Sequence, residues 1–231
     1  MSNVSPTQIL EFLVQSKKFL KNNPLLQKQH LECFLTHFVI TQDEHDEENP
    51  FKKMPTAAMP HLLFIAKTWI DEQLLCIAKS RQVMLTWLFC ACLLWDTMFK
   101  DGRLNIIINK KEDDADETLD RIRFIYSHLP KFLQESIPAQ RTPQGQLGSY
   151  CRLPFPGNNS VIRGLPQNPE AIRKSTASNI FIDEAAFIES AETCYTAAMP
   201  TIRGGGKIIM VSTPNGRNFF HKIFADREDE E

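Results

Sequence analysis

Three polar segments follow short apolar runs, and their side chains could together bind and cleave a phosphate anhydride. The first segment reads Lys79, Ser80, Arg81, Gln82, Val83, Met84, Leu85 and Thr86. A phosphate-binding loop needs backbone amides at a helix N-terminus, a cation for the phosphates and a hydroxyl for magnesium. Lys79 and Arg81 supply cations and Thr86 supplies the hydroxyl, although Met84 and Leu85 precede it where a Gly-Lys pair is usual. An ordinary strand–helix turn is the alternative interpretation.

An Asp-Glu pair closes a second apolar run. Asp183 and Glu184 follow the run 180–182. In magnesium-dependent nucleotide hydrolases such an aspartate orients the metal shell, and the glutamate polarises the attacking water. Both acids would also suit the N-terminus of a following helix, where negative charge interacts favourably with the helix dipole. The residues alone leave both interpretations open.

A third polar segment follows the apolar run 207–211 and contains Ser212, Thr213 and Asn215. A hydroxyl or an amide at this point could sense the γ-phosphate and relay its loss. The string Pro-Asn-Gly within the segment is also typical of a simple turn. The segment is therefore a candidate sensor with a structural alternative.

The runs before these segments are predicted to be buried strands, with helices between them. We predict strands over 74–78, 105–109, 161–162, 179–182 and 207–211, and helices over 61–70, 84–99, 113–135 and 184–198. Two further helices are predicted within residues 1–40. Apolar strands that alternate with helices favour an α/β fold, with a mostly parallel central sheet and helices on both faces. Ligands of such sheets bind at the carboxyl ends of strands, so the three segments should cluster.

Composition and charge narrow the class of protein. The chain has 231 residues, 42% of them hydrophobic, and a formal net charge of −2, which argues against a protein that mainly coats nucleic acid. Its six cysteines form no CxxC pair, which indicates a reducing compartment. The longest apolar stretch, 84–95, is shorter than the roughly 20 residues that span a bilayer. We expect a soluble cytoplasmic protein with no membrane partner.

The order of the three segments is the layout of RecA-type P-loop motors, and the set resembles the ATPase domain of large terminase subunits. These are the DNA-packaging motors of tailed phages and related prophages. In that family the loop is often a deviant Walker A motif whose lysine stands at the start, as Lys79 does here. The family's Walker B motif resembles residues 182–187, and its coupling motif resembles residues 211–216. Family members also carry an Arg-Gly pair before Walker B, which Arg173 and Lys174 match with the glycine replaced.

The resemblance covers residues 50–224 and implies a RecA-like P-loop ATPase that hydrolyses ATP with Mg²⁺ to drive double-stranded DNA into a procapsid. It implies that residues 79–86 bind ATP, that Thr86 and Asp183 hold the metal, and that Glu184 orients the attacking water. Arg173 would act on the ATP of a neighbouring subunit within a homo-oligomeric ring. The coupling residues would be Ser212, Thr213 and Asn215. Further implied partners are the small terminase subunit and the capsid portal, in the host bacterial cytoplasm, and the isolated chain is expected to be a monomer.

Two departures from the family pattern keep other functions open. Met84 replaces a frequent glycine and Leu85 removes the ordinary Walker lysine, so phosphate binding would depend on Lys79. One alternative is a nucleotide-binding assembly module without turnover, a pseudo-ATPase. Another is a superfamily 2 helicase-like translocase, against which the missing Gly-Lys-Thr argues. The adenine contact stays open among Trp69, Gln73 and residues near Pro60.

We predict two parts in the chain. Residues 1–50 form a helical lead-in or lid, and residues 51–231 form the P-loop ATPase core. Full-length large terminases continue into an RNase H-like nuclease domain, whereas this sequence stops soon after the coupling motif. We therefore expect that the nuclease domain is absent and that this chain has no nuclease activity.

Overall fold

Two helices open the computed structural model, which describes residues 5–43 and 46–228. Helix α1 spans Pro6–Ser16, a 3-10 turn spans Lys17–Phe19, and helix α2 spans Pro24–His37. The side chains of Ser5 and Asn23 accept hydrogen bonds from backbone amides in the first turn of α1 and α2, respectively. Such caps satisfy amides that have no partner within the helix. The helices predicted for this region are present, while residues 1–4 lie outside the described part.

A two-stranded hairpin follows α2. Strand β1, Ile40–Gln42, pairs antiparallel with strand β2, Phe51–Lys53, and Thr41 lies opposite Lys52. The sequence patterns did not predict this hairpin, because each strand is only three residues long. Helix α3, His61–Asp71, then leads into the main sheet.

The main sheet has six strands among the described residues. They are β3 (Leu74–Ala78), β4 (Leu104–Asn109), β5 (Arg152–Phe155), β6 (Ser160–Pro166), β7 (Asn179–Asp183) and β8 (Lys207–Ser212). Their spatial order is β3-β8-β7-β4-β6-β5. The first five are mutually parallel, and β5 pairs antiparallel with β6 at the edge. The predicted α/β fold with a mostly parallel sheet is confirmed.

Helices cover both faces of this sheet. They are α4 (Leu85–Phe99), α5 (Glu112–His128), α6 (Lys131–Ser136), α7 (Pro169–Arg173), α8 (Ala191–Arg203) and α9 (Phe219–Glu228). Alternate residues of the central strands pack into two separate cores: Ile107 and Phe181 lie in one, and Ile108 and Ile182 in the other. Burial on both faces explains why these strands are apolar throughout. No helix within the described part is long and apolar enough to cross a membrane.

Two helices have different bounds in the structure from those predicted from the sequence. The stretch 113–135 forms α5 and α6 rather than one helix, because Leu129 precedes Pro130 and takes an extended conformation with ψ 152°. A residue before proline is disfavoured in helical conformation. The stretch after Glu184 begins as a 3-10 turn, Ala185–Phe187, and the α-helix starts only at Ala191.

Candidate active site

The three polar segments meet at the carboxyl ends of the parallel strands. They follow β3, β7 and β8, which are neighbours and parallel, so their carboxyl ends lie side by side. The ammonium of Lys79 donates to Oε1 of Glu184 at 2.8 Å. The backbone amide of Lys79 also donates to the carbonyl of Ser212 at 2.9 Å. Residues that are far apart in sequence therefore form one constellation, as predicted.

The carboxylate of Glu184 is held from two sides. Lys79 contacts Oε1, while Oε2 accepts hydrogen bonds from the Ser212 hydroxyl, the Thr213 hydroxyl and the Thr213 amide, each at 3.3 Å. Burial alone would raise the pKa of the Glu184 carboxyl, but the hydrogen bond and charge of Lys79 outweigh it and hold that pKa below its usual value. Glu184 is therefore an ionised carboxylate at neutral pH.

Asp183 lies deeper, at the end of β7, where it is buried. The Thr86 hydroxyl, in the first turn of α4, donates to Oδ2 of Asp183 at 3.0 Å. Burial raises the pKa of the Asp183 carboxyl, although the charge of Lys79 and the hydrogen bond from Thr86 oppose the rise. A hydroxyl and a buried carboxylate in contact are hard oxygen donors that suit Mg²⁺. Within the described part, no group of three or more His, Cys, Asp or Glu side chains that could hold a metal ion is found.

The loop between β3 and α4 has a constrained backbone. Gln82 and Met84 both have left-handed conformations, with φ of 62° and 60°. Such φ values favour glycine, so the glycine that is frequent in related loops suits the conformation that Met84 adopts. Leu85 lines the cleft, but its side chain is buried with 3% exposure and carries no charge for a phosphate. Arg81 is exposed on the loop.

A cleft of about 890 Å³ opens beside the loop. The residues that line it come from the loop and the start of α4, from the hairpin β1–β2 and the segment after it, and from α5. The residues that line it are Thr41, Gln42, Asp43, Lys52, Lys53, Pro55, Met59, Lys79, Gln82, Val83, Met84, Leu85, Thr86, Trp87 and Arg121. Arg81 and Ser80 do not line the cleft, whereas Gln82 to Thr86 do.

The cleft reduces the candidates for an adenine contact. Trp69 has 1% exposure and belongs to the core. Gln73 immediately precedes β3 and donates to the carbonyl of Ile202 at 3.4 Å. It therefore lies at the amino end of β3, away from the carboxyl ends where the loop begins. Of the residues near Pro60, Met59 lines the cleft.

Sequence reasoning missed the cations that the hairpin and α5 contribute to the cleft. Lys52 and Lys53 come from the hairpin, and Arg121 comes from α5. The lysine pair resembles any solvated pair in the sequence, and Arg121 fits the polar face of an amphipathic helix. Only the packing of these elements shows that the three residues line the cleft.

Hydrogen bonds connect the segment after β8 to the turn after Glu184. The Ser212 hydroxyl accepts from the amide of Ala186 at 3.1 Å, and the Asn215 side chain donates to the Ala186 carbonyl at 3.3 Å. Asn218, which the sequence did not single out, donates to the same carbonyl at 2.7 Å and to the Asn215 carbonyl at 2.9 Å. The predicted coupling residues therefore contact both the Glu184 carboxylate and the backbone that follows it.

Arg173 lies outside this constellation. Its guanidinium is exposed and donates to the Glu170 carboxylate at 2.9 Å, one turn earlier in α7. Helix α7 follows β6, which is separated from β7 by β4. Within one chain, Arg173 is therefore not part of the cluster around Glu184.

The six-stranded, mostly parallel sheet with helices on both faces defines an α/β domain of the RecA-like class, and the three polar segments lie at the carboxyl ends of its strands. The family model that matches residues 76–231 is described as "Terminase large subunit, T4likevirus-type, N-terminal". This match covers more than half of the chain, and the chain belongs to that family.

Solved structures agree on the fold. The large terminase ATPase domain of Thermus phage P74-26 is 19% identical over 69% of this chain and 68% of that domain, with a TM-score of 0.54. The large terminase of bacteriophage HK97 is 15% identical over 88% of this chain, with a TM-score of 0.60, and the match covers 41% of that protein. The large terminase of a thermophilic bacteriophage, solved with ADP, is 14% identical over 73% of this chain and 42% of that protein, with a TM-score of 0.52.

Proposed function

We propose that this chain binds ATP with Mg²⁺ and hydrolyses it, as the ATPase motor domain of a phage or prophage large terminase. The observation that carries the proposal is the 2.8 Å contact between Lys79 and Glu184. It joins the start of the deviant loop to the acid that follows Asp183, at the edge of the sheet where ligands of this fold class bind. Membership of the large terminase family supports the same function.

Lys79 and Thr86 would bind the phosphates and the metal. Lys79 lines the cleft together with Gln82–Thr86, whereas Arg81 does not, and the Lys79 ammonium contacts Glu184 at 2.8 Å. Thr86 and Asp183 supply the two oxygen ligands for Mg²⁺, whose charge would neutralise the γ-phosphate as negative charge develops. Arg81, which is exposed and does not line the cleft, would reach a phosphate only if the loop moved.

Glu184 would orient the attacking water. A phosphate that binds Lys79 competes with the Glu184 carboxylate for the same ammonium. When Lys79 turns to the phosphate, Glu184 keeps its hydrogen bonds from Ser212 and Thr213 and gains a free oxygen for water. Its position depends on those bonds, so we propose Ser212, Thr213 and Asn215 as the residues that report phosphate loss to the rest of the domain.

The partners of the motor follow from the family. We propose double-stranded DNA as the transported substrate, with the small terminase subunit and the capsid portal as protein partners. We also propose that the chain works as a ring in the host cytoplasm and that Arg173 reaches the ATP of a neighbouring subunit. Its exposure and its position away from its own cluster are compatible with a role in trans.

ATP binding and steady-state hydrolysis test the proposal, with Lys79→Ala and Glu184→Gln beside the unmodified chain. Lys79→Ala should abolish both binding and turnover, because it removes the loop cation in the cleft. Glu184→Gln should retain binding and lower kcat by roughly 10²- to 10⁴-fold, the usual effect of losing a general base.

The outcomes separate the competing functions. Binding without turnover by the unmodified chain, in the presence of DNA and at high protein concentration, would favour an assembly module over an ATPase. Normal turnover by Glu184→Gln would refute the catalytic role of Glu184. Duplex unwinding by the purified chain would favour the helicase-like alternative.

A further inference from the structure

Arg121 occupies a defined position in the cleft. It lies in α5 between Thr118, whose carbonyl accepts from the Cys90 thiol at 3.5 Å, and Phe124, whose ring centroid is 5.7 Å from that of Trp87. The order of these contacts shows that α5 runs antiparallel to α4. Arg121 therefore faces the first turns of α4, the same turns that begin beside the phosphate loop.

The charge of Arg121 is poorly compensated at this position. Arg121 is half-buried. Its side chain makes no hydrogen bond or ion pair within the described residues, 5–43 and 46–228. A cation near a helix N-terminus is disfavoured by the helix dipole, and Arg121 faces that end of α4. A guanidinium that is partly removed from water without a carboxylate is costly. An anion bound in the cleft would remove this cost.

Two other cations of the cleft already have carboxylate partners. Lys79 pairs with Glu184 at 2.8 Å, and Lys52 pairs with Asp43 and Asp46 at 3.0 and 2.6 Å. Arg121 therefore differs from them in being available for a ligand.

The charges of Arg121 and Asp183 both act on the buried thiol of Cys90. Burial raises the pKa of the Cys90 thiol, the charge of Arg121 opposes this rise, and the charge of Asp183 adds to it. Both charges therefore act on one thiol in the second turn of α4.

We propose that Arg121 binds the phosphate chain of the nucleotide in cis, as a cation supplied by α5 rather than by the loop. The proposal rests on the proposed nucleotide-binding function and adds a residue to it. A guanidinium offers several hydrogen-bond donors to phosphate oxygens, and such charge-assisted bonds are strong. Arg121 would thus compensate for the Walker lysine that Leu85 replaces.

The test measures binding of ATP, adenosine and inorganic tripolyphosphate to the unmodified chain, Arg121→Ala and Arg121→Lys by calorimetry. Arg163→Ala is the matched control, because Arg163 is also half-buried and without an ion pair in the described part, but lies outside the cleft. Arg121→Ala should weaken ATP and tripolyphosphate binding by roughly 10- to 100-fold, the loss expected for a charge-assisted hydrogen bond. Arg121→Lys should recover part of the affinity, while Arg163→Ala should bind both ligands normally.

The result that overturns the proposal is ATP and tripolyphosphate binding by Arg121→Ala within twofold of the unmodified chain. An equal loss of adenosine binding would also overturn it, since that loss would mean a disturbed cleft. Binding of a short DNA duplex is measured with the same variants, and a loss by Arg121→Ala confined to the duplex would overturn the proposal and assign Arg121 to DNA. If the unmodified chain binds tripolyphosphate but not ATP, the ATPase proposal fails while the Arg121 variants still report on the phosphate contact. If the unmodified chain binds neither, both proposals fail.

Discussion

At the scale of single residues, the site stores backbone strain. Gln82, Met84 and Glu184 have φ values of 62°, 60° and 48°, in the left-handed region. A non-glycine residue there costs roughly 1–2 kcal/mol. Such strain persists at functional sites where surrounding contacts hold it, and Glu184 is held by Lys79 and Ser212. The φ value of Glu184 also turns the chain away from the strand direction immediately after Asp183.

The strain at Met84 can be measured with two substitutions. Met84→Gly and Met84→Ala both remove the side chain beyond Cβ, but only glycine adopts φ 60° without a steric cost. We expect Met84→Gly to be more stable than Met84→Ala by about 1 kcal/mol in urea denaturation.

The expected stability difference between glycine and alanine at position 84 has the opposite sign to that at an ordinary position. At an ordinary position glycine is less stable than alanine by roughly 0.5–1 kcal/mol. A Met84→Ala variant as stable as Met84→Gly would show that the residue does not keep its left-handed conformation in solution.

At the scale of elements, a buried histidine joins the N-terminal helices to the core. His30 of α2 is completely buried; it accepts a hydrogen bond from the Trp95 indole of α4 at 2.7 Å, and its other ring nitrogen contacts the Leu13 carbonyl of α1 at 2.9 Å. Burial lowers the pKa of His30 from 6.5 to about 4, and the nearby charge of Lys100 acts in the same direction. The folded chain therefore holds this ring in its neutral form.

The free energy of unfolding of the domain should fall as the pH decreases from about 6.5 towards about 4, the two pKa values of His30. The unfolded chain binds a proton at His30 below about pH 6.5, whereas the folded chain binds it only near pH 4. Protons therefore favour unfolding between these values, by about 2 kcal/mol at pH 5. Urea denaturation at pH 7 and pH 5 measures the loss.

A His30→Gln variant is the control for this effect. Its amide can still accept from the Trp95 indole and donate to the Leu13 carbonyl, but it does not titrate. The variant should lose about 2 kcal/mol less than the unmodified chain between pH 7 and pH 5. An identical loss in both proteins would place the pH dependence elsewhere.

At the scale of the whole molecule, the proposed role of Arg173 requires a neighbouring subunit. An arginine finger supplied in trans is worth roughly 10³- to 10⁵-fold in rate. Arg173→Ala should therefore lose turnover at concentrations where subunits assemble, and should leave the slow rate of a dilute monomer unchanged. ATPase rates across a dilution series, with the assembly state followed by light scattering, measure the effect.

Lys174→Ala is the matched control for Arg173→Ala, because Lys174 is the adjacent basic residue and is also exposed. It should leave the rate unchanged at every concentration. An equal fractional loss by Arg173→Ala in the dilute monomer and in the assembly would contradict a role in trans.

The division of the chain into two parts stays a proposal. The predicted boundary at residue 50 falls inside the hairpin, since β1 ends at Gln42 and β2 begins at Phe51. We propose that residues 1–50 act as a lid, because Thr41 and Gln42 line the cleft. The absence of nuclease activity also stays a prediction.

The sequence by itself predicted the five parallel strands of the main sheet and the clustering of the candidate site residues that follow three of them. Apolar runs predict buried strands, and parallel strands bring their carboxyl ends together, so Lys79, Asp183 and Glu184 could be expected to meet before any coordinates were known. The length of the apolar stretch also predicted a buried helix over 84–99, which the structure has over Leu85–Phe99. These features depend on local pattern and on the geometry that all parallel sheets share.

Only the tertiary structure decided which elements line the cleft together with the loop. The hairpin strands are too short to produce a periodic signal, and Arg121 is a polar position on an amphipathic helix that any surface would accommodate. Their placement depends on long-range packing, such as the contact of the Phe51 ring with Phe124 at 5.3 Å. Such contacts join residues far apart in the chain, so no local pattern encodes them.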